Sequence, residues 1–166
     1  MWRVGQAFAV ALCLATGAAA QGLAPADAAS PDPWGPATTG MPSCPVPAAP
    51  HYSAEELRAM AHERAQHGTS CYQSGRCRLP NSYRYDAEIV PRVQQFLRQD
   101  GRFGATSVWV LGRRRIVTLM GCVADADQAR AMVQAAGQVD DVMGVVDGLW
   151  VPGPGRTAPY PVAGPR

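Results

Sequence analysis

The chain has 166 residues, a formal net charge of +2 and 17% charged residues. This length suits one small domain, and the near-balanced charge does not favour a nucleic-acid-binding protein, whose surface would be strongly basic. The sequence contains no nucleophile-elbow, P-loop or dinucleotide-binding motif. We therefore expect no enzyme, no catalytic residues, no cofactor and no nucleic-acid partner.

Residues 1–20 have the order of a secretory signal peptide. Arg3 precedes an apolar run at 7–14, and small residues then lead to Ala-Ala-Ala at Ala20. The run is far shorter than the ~20 apolar residues that a membrane span needs. We expect cleavage after Ala20, a mature chain that begins at Gln21, and a periplasmic or otherwise exported protein, peripheral to a membrane if it contacts one.

Export makes disulfides the expected use of the remaining cysteines, rather than metal ligation. Cys71 and Cys77 bracket a short loop that contains a glycine, so they are the favoured local pair. Cys44 with Cys122 would then tie the N-terminal segment to the domain. Four cysteines allow three connectivities, and the sequence leaves that choice open. We expect no metal site.

The first part of the mature chain changes character near residue 50. Residues 21–50 are rich in proline and alanine and are predicted to be a linker. Residues 51–82 contain a predicted helix with a capping box at Ser53 and Glu56 and an end near Gly68, followed by the cysteine-containing loop. So short a helix is marginal alone, and it must dock on something.

Residues 83–152 carry the most regular pattern. A helix capped by Asp86 precedes two strands joined by a turn at Gly112–Arg115, and a helix capped by Asp125 precedes a last strand. Residues 153–166 form a tail rich in proline and glycine. We predict an α+β fold: a small α-β-β-α-β sandwich with two helices on one face of a three-stranded mixed sheet, an extra N-terminal helix and disordered proline-rich ends.

Several stretches of this region have residues at positions typical of a known family. They are Asp86–Ile89, Val93, Leu97, Val117–Val123 and Val142–Val151. As an ordered set they resemble the BON domain, named for bacterial osmotically induced and nodulation proteins. The resemblance covers about seventy residues. It implies a non-catalytic module of the periplasm or envelope that binds phospholipid or mediates envelope interactions. Relatives often carry two copies, whereas this chain has room for one.

Gly121 matches the glycine that ends the second strand in this family. We expect it to let the helix after Asp125 pass close over the sheet, because a glycine places no Cβ in the way. A simple bulge is the alternative, and both interpretations are structural.

Arg113, Arg114 and Arg115 form a dense charge cluster at the predicted hairpin turn. One interpretation is a solvated tip that discourages edge pairing. The other is a contact with anionic phospholipid, because guanidinium pairs bidentately with phosphate. Each arginine would contribute ~1 kcal/mol near an anionic surface, so the cluster would be an auxiliary contact.

The predicted sheet has two apolar faces. Strand alternation puts Val117, Leu119, Gly121 and Val123 on the face that the helices cover. The other face would show Trp109, Met120 and Trp150 together. Bare, they would form an apolar patch of the kind that marks an interface. We favour the Ser53–Gly68 helix as its cover; a second copy of the chain, giving a homodimer, and lipid are the alternatives.

We therefore expect a non-catalytic exported cell-envelope module that binds membrane-surface phospholipid or an envelope protein. The alternative is a structural or assembly component of a larger envelope complex, with no lipid contact.

Overall fold

Four strands form one mixed sheet in the computed structural model, which describes residues 31–164. They are β1 (Trp34–Thr39), β2 (Ser107–Arg113), β3 (Ile116–Cys122) and β4 (Gly144–Trp150), in the spatial order β1-β2-β3-β4. The β1–β2 and β2–β3 pairs are antiparallel, and the β3–β4 pair is parallel. The α+β class is confirmed, but the predicted count of three strands is wrong.

The missed strand, β1, lies inside the segment that was predicted to be a linker. Its sequence includes Gly35 and Pro36, and its register with β2 shifts between Pro36 and Thr38. A strand can hold a proline and a bulge when it lies at the edge of a sheet. The Thr38 hydroxyl also accepts the Val108 N–H at 3.1 Å and hydrogen-bonds the Thr106 hydroxyl at 2.7 Å.

Within residues 31–164, four α-helices accompany the sheet. They are α1 (Ala54–Gln66), α2 (Thr69–Gln73), α3 (Tyr83–Gln99) and α4 (Ala126–Gly137), with a 3₁₀ turn at Gly101–Phe103. The predicted capping box of α1 is confirmed, since Ser53 and Glu56 bond each other's backbone N–H. Asp125 caps α4 as predicted, by accepting the Gln128 N–H at 2.8 Å.

The predicted start of α3 is wrong. This helix begins at Tyr83, so Asp86 lies in its first turn and does not cap it, and Pro91 lies inside the helix. The fully buried Asp86 carboxylate instead accepts the backbone N–H groups of Arg114 and Arg115, each at 2.8 Å. A carboxylate enclosed in this way must find donors, and the hairpin turn supplies two.

Helices α3 and α4 cover the same face of the sheet, as predicted. The buried side chains at this interface are Ile89, Val93 and Leu97 from α3, Met132 and Ala136 from α4, and Val117, Leu119 and Val123 from β3 and its end. The side chains of these residues are fully enclosed. This layer is the main hydrophobic core, and it fixes which face of the sheet remains for other contacts.

The proline-rich ends are ordered where the structure describes them, which corrects the prediction of disorder. Pro47 and Val162 form an antiparallel bridge. The Ala48 N–H donates to the Pro161 carbonyl at 2.8 Å. The signal peptide and the cleavage position lie outside the described residues. Within residues 31–164, no helix is both long enough and apolar enough to span a membrane.

Candidate functional site

Both favoured cysteine pairs are disulfides in the structure. Cys44–Cys122 joins the segment after β1 to the end of β3, with an S–S distance of 2.01 Å. Cys71–Cys77 closes the short loop that follows α1, with an S–S distance of 2.11 Å. The first bridge brings the N-terminal segment onto the sheet face opposite α3 and α4, which we call the outer face.

The outer face carries the three predicted interface residues. Trp109 and Met120 lie opposite each other in the β2–β3 register, and each is 9% exposed. Trp150 is half-buried and packs against the cluster that Trp109 forms with the Cys44–Cys122 bridge. These side chains therefore lie beneath other parts of the same chain.

The cover of the outer face differs from the predicted one. Trp34, Met41 and Val46 pack against the cluster from the N-terminal side. From the C-terminal tail, the Tyr160 hydroxyl accepts the Trp150 indole N–H at 3.3 Å and donates to the Pro45 carbonyl at 3.0 Å. Helix α1 has no buried residue, so it is not the cover.

The hairpin turn between β2 and β3 has an unusual backbone. Arg114 and Arg115 have φ values of 56° and 68°, in the left-handed region that arginine seldom adopts. Such residues persist only where the surroundings hold them. Asp86 holds both N–H groups, as described above. Burial raises the pKa of the Asp86 carboxyl, although the two N–H donors act in the opposite direction.

The side chains of Arg113 and Arg114 have partners within the chain. Arg113 Nε lies 4.0 Å from an oxygen of the buried Asp32 carboxylate. Arg114 Nη1 lies 2.8 Å from Glu63 Oε1, on α1. A hydrogen bond from the Tyr83 hydroxyl, aided by the nearby positive charge, lowers the pKa of Glu63. The two arginines thus attach the N-terminal segment and α1 to the hairpin.

Arg115 is the most enclosed of the three arginines. Its Nε donates to the Asp141 carbonyl at 2.8 Å, and its guanidinium lies 4.4 Å from the centre of the Tyr85 ring. Its Nη1 lies 3.7 Å from Cys77 Sγ. Arg115 therefore joins the disulfide loop and the loop before β4 to the hairpin. A role for these arginines in binding anionic lipid stays a prediction.

Gly121 does require a glycine, but not because a helix passes close to it. Its φ is +143°, and a Cβ placed there would lie 2.8 Å from Val108 Cα on the neighbouring strand β2. The close approach is therefore between strands, and the predicted contact with α4 is wrong. Sequence spacing cannot distinguish the two cases, because β2 and α4 are both joined to β3 by short connections, one before it and one after it.

One exposed surface was not predicted. On and just before β4, Val146 is 50% exposed and Met143 is 69% exposed. The sequence of this strand looks like that of a buried one, so its apolar pattern gave no signal of exposure. Among residues 31–164, no group of three or more histidine, cysteine or acidic side chains is arranged to hold a metal ion.

Comparison with known families agrees with this architecture. Residues 85–153 match the family model of the BON domain. No curated protein matches the chain. BON domains are non-catalytic binding domains of envelope-associated proteins. The matched residues include most of α3, the β2–β3 hairpin, α4 and β4, whereas β1, α1 and α2 lie outside the match. The chain therefore carries one match to the BON domain family, over residues 85–153.

Proposed function

We propose that the protein is an exported, non-catalytic cell-envelope module that binds another envelope protein. The BON domain supports the envelope role. The two disulfides support export, since such bonds persist in oxidising compartments. The choice of a protein partner rests on how the two predicted binding surfaces are used.

The main support for a protein partner over a lipid is that the hairpin arginines already have partners within the chain. Arg113 and Arg114 have carboxylate partners in Asp32 and Glu63, and Arg115 has the Asp141 carbonyl. A phospholipid headgroup would have to compete with contacts that are already made. The second predicted surface, around Trp109, is covered by the chain itself.

Phospholipid binding is the second candidate. Two observations favour it: the family is associated with phospholipid binding, and the Arg113 and Arg114 side chains are 36% and 41% exposed. An exposed ion pair contributes about 0–1 kcal/mol, so a headgroup could displace Glu63 from Arg114 without a large loss.

Crosslinking in intact cells tests the proposal. The full tagged chain is expressed in its own host, crosslinked with a short amine- and carboxyl-reactive reagent, and analysed by mass spectrometry. We expect a reproducible protein adduct that persists when the three hairpin arginines are replaced together by glutamine. Recovery of the chain without any protein adduct, together with its enrichment in the membrane fraction, would favour the lipid alternative.

A further inference from the structure

Strand β4 is an edge of the sheet that no other strand among residues 31–164 pairs with. The opposite edge, β1, is interrupted by Pro36 and by a register shift before Thr38, both of which obstruct the addition of another strand. By contrast, the seven residues of β4 contain no proline, and their register with β3 is continuous. The two edges of the sheet are thus unequal, and β4 is the one suited to pairing.

In the described part of the chain, the backbone of β4 has unpaired groups on the side away from β3. The Val123 N–H donates to the Trp150 carbonyl at 3.0 Å. In a parallel strand, every second residue directs its N–H and C=O groups toward the same neighbouring strand. Trp150 faces β3, so Val145, Asp147 and Leu149 direct their N–H and C=O groups away from it. The Leu149 N–H bonds Asp147 Oδ1 at 2.9 Å. Within residues 31–164, the other outward groups have no backbone partner.

A groove runs beside this edge, between β4 and α4. Its volume is about 290 Å³. Its apolar lining comes from Val123, Ala126, Ala129, Leu149, Trp150 and Val151. Side chains of an added strand alternate between the two faces of a sheet. Those on the helix side would enter this groove, and those on the other side would lie beside the exposed Val146.

The groove also carries positive charge. The guanidinium of Arg156 lines it and has no ion-pair or hydrogen-bond partner in the part of the chain that the structure describes, where only the Arg156 backbone N–H is bonded, to the Gly153 carbonyl. Arg130 lines it too and pairs with Asp127 at the exposed surface of α4. Asp147 is the one acid among the lining residues. The two arginines and one aspartate give the groove a positive net charge, which favours a ligand that carries a carboxylate.

We propose that β4 receives an extended segment of a partner protein as a fifth strand. The segment would carry small or β-branched apolar side chains at alternate positions and an acidic group facing Arg156 and Arg130. Main-chain hydrogen bonds to the edge supply affinity in this mode of recognition, and the alternating side chains supply specificity. This inference rests on the proposed function, because it names how the protein partner would bind.

A second copy of the chain fits the edge less well. A two-fold antiparallel pairing centred on β4 would place the Asp147 carboxylates of the two copies opposite each other. Like charges directly opposite destabilise a strand pair. The partner is therefore a different polypeptide.

A matched pair of substitutions at Asp147 separates strand addition from other modes of binding. The Asp147 N–H points away from β3, so Asp147→Pro removes an outward donor while leaving the β3–β4 hydrogen bonds in place. Asp147→Thr removes the same carboxylate but keeps the N–H. Because Asp147 is exposed, neither change removes a core side chain. Equal thermal midpoints for the two variants would establish that both remain folded.

The experiment uses a photo-crosslinking amino acid at position 146 of the full chain, in its own host. A matched probe at position 39, on the opposite edge β1, is the control. We expect the position-146 probe to give a protein adduct, retained in Asp147→Thr and reduced about tenfold or more in Asp147→Pro, since that variant loses a hydrogen bond and adds a clash. The position-39 probe should give no such adduct.

The outcomes distinguish the two levels of the proposal. An adduct that is equally strong in Asp147→Pro and Asp147→Thr would overturn strand addition but leave the protein-binding function standing. An adduct with a second copy of the chain would overturn the assignment of the partner. The absence of any protein adduct, both from this probe and from the chemical crosslinking above, would overturn the proposed function as well.

Discussion

At the scale of single residues, Asp86 shows what a local pattern can and cannot predict. An aspartate before an apolar helical stripe is typical of a helix cap. In the structure it holds the left-handed turn at Arg114 and Arg115, which lies 28 residues further along the chain. Periodicity found the helix. It could not predict that the Asp86 carboxylate is buried, because the hydrogen-bond donors come from a turn that is distant in the sequence.

Asp86 should make stability depend on pH. Burial raises the pKa of this carboxyl in the folded protein. Its contribution to stability is therefore fully present below the pKa of the unfolded chain, about 3.9, and is lost as the pH rises through the folded value. Asp86→Asn has no such dependence. We expect the free energy of unfolding of the native chain, minus that of Asp86→Asn, to fall between about pH 4 and neutrality. Urea titrations at several pH values measure this difference, and a constant or rising difference would contradict the assignment.

Gly121 gives a second prediction at this scale. Gly121→Val would put a branched side chain at a φ of +143° and against the backbone of β2. We expect a loss of about 3 kcal/mol or more in the free energy of unfolding, from overpacking and strain together.

Arg114→Ala is the control for this glycine. It removes one exposed ion pair with Glu63, so the loss should be within about 0.5–1 kcal/mol. Chemical denaturation compares the two variants. Equal unfolding midpoints would refute the close approach of β2 and β3 at this glycine.

At the scale of elements, the bounds of α1 were predicted correctly, but the surface on which it packs was not. Its capping box is a local feature, and so its bounds could be predicted from sequence. Its position could not, because the contacts that hold it are polar and distant. Arg64 lies 2.7 Å from Asp32 and 4.4 Å from the centre of the Tyr83 ring. The sequence led us to expect that α1 docks on the outer face, yet no residue of α1 is buried.

The two disulfides should differ in their effect on stability. Cys44–Cys122 closes a loop of 78 residues, and Cys71–Cys77 closes one of 6. By chain entropy, the first contributes about 4.5 kcal/mol and the second about 2 kcal/mol. We expect Cys44→Ala/Cys122→Ala to unfold at a lower denaturant concentration than Cys71→Ala/Cys77→Ala. The first variant alone should red-shift the tryptophan emission, because its bridge lies beside Trp109. Equal losses and unchanged emission would contradict the role assigned to Cys44 in holding the outer face.

At the scale of the whole molecule, the helix side of the sheet could be predicted from sequence and the outer side could not. Alternation along β3 correctly separated Val117 and Leu119 from Met120. The cover of the outer face comes from two proline-rich segments that pair with each other across more than a hundred residues. Such segments lack the periodicity that sequence analysis uses, and a disulfide and isolated hydrogen bonds hold them in place.

A pair of matched substitutions tests this cover. Val46 and Leu57 are both half-buried aliphatic residues, but Val46 packs on the outer-face cluster whereas Leu57 lies on α1. We expect Val46→Asp to red-shift the tryptophan emission and to promote self-association, because it would expose an apolar patch. Leu57→Asp should change neither property. Tryptophan fluorescence and solution mass measure these changes. If Leu57→Asp changed both properties and Val46→Asp changed neither, α1 would be the cover of the outer face.

The central claim is that the chain uses its hairpin arginines internally and binds a protein rather than a lipid surface. Its most direct test is co-sedimentation of the mature chain with phosphatidylglycerol vesicles at low salt, beside neutral phosphatidylcholine vesicles. We expect no excess binding to the anionic vesicles, for the native chain or for Arg114→Ala. Salt-sensitive binding that Arg114→Ala loses, and that Arg58→Ala on the exposed side of α1 retains, would contradict the claim and assign the hairpin to phospholipid.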